Sequence, residues 1–139
     1  MSVLSNLPPQ AVLPLSAYKL SELRESAANF QQTFLYVSCA ACTDKLSILK
    51  QIASSFHFGD YFGENLDALY DCVTDMEPDR RADKPGFVIV LEGLPQTAEF
   101  DAVERNRVLD VFRDAADFFD DNQVAFRVFY SVNKAAAAA

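Results

Sequence analysis

Apolar residues recur along this chain with two spacings, and the switch between them predicts alternating strands and helices. Phe34-Leu-Tyr-Val-Ser38 reads as a strand, and Thr43-Asp44 then offers an N-cap for a helix with Leu46, Leu49, Ile52, Ala53 and Phe56 on one side. In Tyr61 to Asp75 a glycine break and Asn65, a capping residue, precede a helix with Leu66, Leu69 and Val73 on one face. After a charged connection from Pro78 to Pro85, Phe87-Val-Ile-Val-Leu91 is a short, continuous apolar run, the pattern of a strand buried on both faces and closed by Pro95. Ala102 to Phe119 carries Val108, Leu109, Phe112, Ala115, Ala116 and Phe119 at helical spacing, and Val124 to Tyr130 is the third strand.

Before these elements, Ser16 to Phe30 has Leu20, Leu23, Ala27 and Phe30 spaced by three and four, which predicts an amphipathic helix. Residues 1 to 15 hold three of the six prolines and are expected to form an irregular arm docking through Val and Leu side chains. Strands separated by helices need right-handed crossovers, so the expected architecture is α/β: a three-stranded parallel sheet packed against helices, with an extra N-terminal arm and helix. Lys134 and the five alanines after it are low complexity and stand outside the fold argument.

At 139 residues, 50% of them apolar and 23% charged, the chain suits one globular domain. Three cysteines are too few for a disulfide scaffold and point to a reducing compartment. With no long apolar run and no basic leader, the expected location is the cytoplasm. The net charge of −8 argues against direct binding to nucleic acid or an anionic membrane, since phosphate contacts need clustered cations. The charge is also uneven: residues 60 to 79 hold seven acids and no Lys or Arg. Such a block is either a solvated face or a surface for a basic partner.

Little of the sequence suits catalysis. His57 is the sole histidine, and the four glycines form neither a P-loop nor a dinucleotide fingerprint, so no metal or nucleotide cofactor is expected. Cys39-Ala-Ala-Cys42 falls between a strand and a helix, where a thioredoxin-like dithiol sits. It lacks a preceding Trp and an internal Gly-Pro, and the downstream run Phe87 to Leu91 contains no proline, which favours two small core residues over a thiol oxidoreductase. Asp67 and Asp71, at i and i+4, share one helix face with Asp75 a turn further and Tyr70 and Thr74 beside them. A glycosidase places its carboxylates across a cleft, and calcium needs oxygens all around it, so display toward Arg and Lys of a partner suits this row better.

The fifteen residues YFGENLDALYDCVTD closely resemble the signature of the barstar family, intracellular protein inhibitors of barnase-type ribonucleases, and a weaker similarity extends from about Phe34 to Ser131. The resemblance implies a family domain over residues 34–133, preceded by the arm and helix of residues 1–33 and followed by the tail of residues 134–139. It also implies an inhibitor without catalytic residues or cofactor, bound 1:1 to a basic extracellular-type or toxin ribonuclease. The implied contact residues are Tyr61, Gly63, Asn65, Asp67, Tyr70, Asp71, Thr74 and Asp114. Of these, Tyr61 would lie against the nuclease's catalytic histidine, Gly63 would permit close backbone approach, and Asp71 would enter the catalytic centre in place of phosphate. The chain departs from the family pattern at Tyr70 and Met76, where Trp is usual, at Asp75, where Gly is usual, and at Phe118, where a second acid is usual. The segment before Phe34 has no counterpart in the short inhibitors and offers a cover for a sheet edge, a wider contact or a route to self-association. A non-nuclease basic protein is the alternative partner.

Overall fold

A computed structural model describes residues 3–59 and 64–133. Its strands are β1 (Gln10–Pro14), β2 (Thr33–Ser38), β3 (Gly86–Leu94) and β4 (Ala125–Val132), and its helices are α1 (Leu20–Asn29), α2 (Lys45–Ser55), α3 (Leu66–Thr74) and α4 (Ala102–Asp121). The strands form one sheet in the order β1-β4-β3-β2, with every pairing parallel.

The sheet therefore has four strands where three were expected, and the fourth comes from the arm expected to be irregular. Gln10 to Pro14 pairs with Phe126 to Tyr130, and the carbonyl of Pro9 accepts from the Phe126 N–H at 2.8 Å. Prolines are tolerated here because β1 is an edge strand, where a missing N–H leaves no ladder position empty. The helix expected from Ser16 is also shorter: Leu15–Ala17 is a 3-10 turn, Tyr18 is extended, and α1 begins at Leu20 after Lys19, which makes no side-chain cap. By contrast, Asp44 caps α2 as expected, accepting from the Ser47 N–H at 2.9 Å in a reciprocal capping box.

Alternation along β3 and β4 divides the interior in two. Phe87, Ile89 and Leu91 of β3, with Phe126 and Val128 of β4, point into a large core with residues of α2, α3 and α4. Val88, Val90 and Phe129 point the other way, into a smaller core closed by Leu4, Leu15, Leu23 and Ala27 from the arm and α1. The central strands are thus buried on both faces, which explains why β3 reads as unbroken apolar sequence.

Arg127 also faces this second side and is only 7% exposed. Its Nε donates to the Pro8 carbonyl at 2.9 Å, and one terminal nitrogen donates to the carbonyls of Leu7 and Leu4 at 3.3 and 3.4 Å. Burial lowers its pKa below the ordinary arginine range. The cation is satisfied by backbone oxygens of the arm, so it ties that arm to the middle of β4.

Two glycines are required by the backbone. A Cβ on Gly86 would lie 2.6 Å from the Ala125 carbonyl oxygen, so only glycine lets β3 start against β4 at this register. Gly93, at φ +79°, carries β3 through an irregularity and on to Leu94, beyond the expected end at Leu91. Among the described residues no helix is long and apolar enough to cross a membrane.

Candidate protein-binding site

Helix α3 is short and strongly two-sided. Asn65 caps it, its Oδ1 accepting from the Ala68 N–H at 2.8 Å and its carbonyl from the Leu69 N–H at 2.9 Å. Leu69, Cys72 and Val73 are buried, while Asp67, Asp71 and Asp75 stand exposed at four-residue intervals. The apolar side anchors the helix against the core, and this fixes the direction of the carboxylate row.

The neighbouring wall is α4, capped by Asp101, whose Oδ1 accepts from the Glu104 N–H at 3.0 Å. Val111 is buried and Asp114, three residues on, is exposed. Between the helices lies a groove of about 600 Å³ lined by Leu66, Asp67, Tyr70, Asp71, Val111 and Asp114. A smaller depression of about 270 Å³ continues along α3 between Asp71 and Asp75. Asp71 borders both hollows and so stands at the middle of the acidic surface.

Among the described residues the salt bridges are Arg81 to Asp79, Arg107 to Glu104 and Arg113 to Asp110, and none includes Asp67, Asp71, Asp75 or Asp114. Arg113, next to Asp114 in sequence, turns instead to Asp110 at 2.7 Å. The field of the groove is therefore not cancelled locally, and like charges one turn apart persist because solvent screens them. A larger hollow of about 860 Å³ opens at the amino ends of the strands, but its rim mixes Arg80, Lys84 and Arg127 with Asp83 and Asp120. It has no comparable single-sign field.

Four of the eight expected contact residues thus meet in one groove: Asp67, Tyr70, Asp71 and Asp114. Asn65 and Thr74 flank it at the two ends of α3, and Tyr61 and Gly63 lie outside the described residues. Thr74 is occupied by its own helix, its hydroxyl donating to the Tyr70 carbonyl at 2.8 Å. The sequence reading missed Leu66 and Val111, the apolar wall of the groove. Val111 stands outside the helical spacing that marks α4 in the sequence, and its place opposite α3 depends on how the helices pack.

The cysteines behave as core residues. Cys39 is fully buried at the end of β2, its N–H donating to the Glu92 carbonyl at 2.7 Å, and burial pushes its thiol up to about 12. Cys42 is also raised by burial, and its Sγ donates to the Ser47 carbonyl at 3.5 Å. Redox catalysis needs the reverse, an accessible thiol with a lowered pKa. Cys72 is raised too, by burial and then by Asp71 and Asp75. Among the described residues no group of three or more His, Cys, Asp or Glu side chains is arranged to hold a metal ion.

The parallel α/β domain presents, across two adjacent helices, carboxylates that form no salt bridge among the described residues. Residues 32–131 match the family model Barstar (barnase inhibitor), and the chain belongs to the Barstar family. Comparison with individually curated proteins gives no match. The matched region contains α2, α3, α4, β2, β3 and all but the last residue of β4, whereas β1 and α1 precede it.

Proposed function

We propose that this protein inhibits a basic, barnase-type ribonuclease by seating the groove between α3 and α4 over the nuclease's active-site cleft. The observation that carries the reading is the convergence of Asp67, Asp71 and Asp114 on one groove, with no salt bridge to any of them among the described residues. A ribonuclease cleft is basic because it holds phosphate, and the field that gathers RNA also gathers a matching set of carboxylates. Asp71, central in the surface, takes the place of the phosphate; Asp67 and Asp114 pair with cations at either side. Tyr61 and Gly63, in the approach to α3, would extend the contact. Inhibition is by occupation, with no bond made or broken.

The test is titration of barnase and a panel of basic microbial ribonucleases with the protein. Complete inhibition of at least one member near 1:1, weakening as salt rises, is the expected result. Asp67→Ala with Asp71→Ala should weaken that inhibition by about 100-fold or more, since truncation leaves the partner's buried cations unpaired. Full inhibition by the double variant at the same concentrations would overturn the site. Failure of the wild type on every nuclease, with capture of a basic protein lacking nuclease activity, would favour the non-nuclease partner instead.

A further inference from the structure

One feature of α4 is not explained by phosphate mimicry. Phe118 is 38% exposed, an aromatic side chain in water on a strongly acidic helix. It follows Val111 by seven residues, so it returns to within about 20° of the same helical stripe, one turn beyond Asp114 on α4. Edge-to-face contact with the buried Phe119, centroids 5.3 Å apart, holds the ring in place. Asp114 at i−4 and Asp121 at i+3 stand on its side of the helix, both exposed and neither in a salt bridge among the described residues.

A ring in that setting suits one kind of partner group. The carboxylates draw a cation to it, and the exposed ring gives that cation a π-face to lie on. A lysine ammonium is compact and strongly hydrated, whereas a guanidinium is planar and weakly hydrated, and can stack on the ring while donating to a carboxylate. The chain already contains such a pairing, with the Arg24 guanidinium 5.2 Å from the centre of the Phe34 ring.

We propose that Phe118, together with Asp114, receives an arginine side chain of the basic partner and makes this edge of the interface selective for arginine over lysine. The inference rests on the inhibitor reading above, and it names a contact that the carboxylate row does not supply.

The probe is whichever ribonuclease of the panel binds most tightly, with affinity measured at fixed ionic strength. Phe118→Ala should weaken binding about tenfold. Phe118→Leu, which keeps the apolar area and loses the π-face, should weaken it as much, and Phe118→Tyr should retain wild-type affinity. Combining Phe118→Ala with Asp114→Asn should cost less than the two separate losses together, because one guanidinium serves both groups. Each variant's thermal midpoint is checked against wild type, with Phe118→Tyr as the conservative control for folding. Wild-type affinity in Phe118→Ala or in Phe118→Leu would overturn the arginine contact while leaving the inhibitor reading intact. Absence of binding by the wild type across the panel would overturn the inhibitor reading and this inference with it.

Discussion

The two faces of the sheet are covered in different ways. On one, α2, α3 and α4 bury an apolar core with no charge in it, and their outer surfaces carry the acidic groove. On the other, a five-residue strand, the 3-10 turns Val3–Asn6 and Leu15–Ala17 and one helix close a thinner core, and a buried arginine secures the arm by its backbone carbonyls. The first face lies within the Barstar match, and most of the second face's cover precedes it. The comparison teaches that a surface can be held by a core that needs a second layer behind it, because β3 and β4 have apolar side chains on both sides.

Removing residues 1–18 tests this most severely. It uncovers Val88, Val90 and Phe129 and deletes Leu4 and Leu15, so the expected loss is about 5 kcal/mol or more, comparable to the whole stability of a domain this size. Calorimetry should show no cooperative transition. A truncated protein that melts sharply and still inhibits would mean that the faces are independent.

A narrower cut is Arg127→Met, which keeps much of the side chain's volume but removes the donors to the carbonyls of Pro8 and Leu7. Urea unfolding should show a loss of about 2 to 3 kcal/mol, with ribonuclease affinity per folded molecule unchanged. If affinity falls as well, the arm communicates with the groove.

The smallest effect, absent at neutral pH, concerns the helical side. The thiol of Cys39 ionises near 9.0 when unfolded and at about 12 when folded. Across that window the folded chain binds the additional proton, so stability falls as pH rises through it. Between pH 9 and 10.5, Cys39→Ala should lose less stability than wild type, measured by urea midpoints. Equal losses would show that Cys39 is not a source of the alkaline sensitivity.

Much of the helical side was legible in sequence because its signals are local. Asn65 and Asp44 announce their helices by side-chain chemistry that acts within three residues, and the spacing of Asp67 and Asp71 fixes their common face without tertiary information. The other side was not legible. Nothing in Gln10 to Pro14 marks a strand, since its hydrogen bonds are supplied by β4, and a proline-rich stretch usually opposes pairing. Arg127 read as one member of an alternating strand; its burial depends on carbonyls at positions 4, 7 and 8. The groove fell between these cases: each carboxylate was visible in the sequence, but the meeting of Asp114 with Asp71 depends on how α4 packs beside α3.

The order of the strands also governs when the molecule can be completed. β4 lies between β1 and β3 in space, yet it is the last of the described elements to leave the ribosome, and Gln10 waits more than a hundred positions for Phe126. Such long-range closure is slow relative to helix formation. A nascent chain interrupted before β4 would have made α3 and α4 while the strand shared by both interiors was missing, so synthesis must pass Val132 before the protein can hold its acidic groove steady.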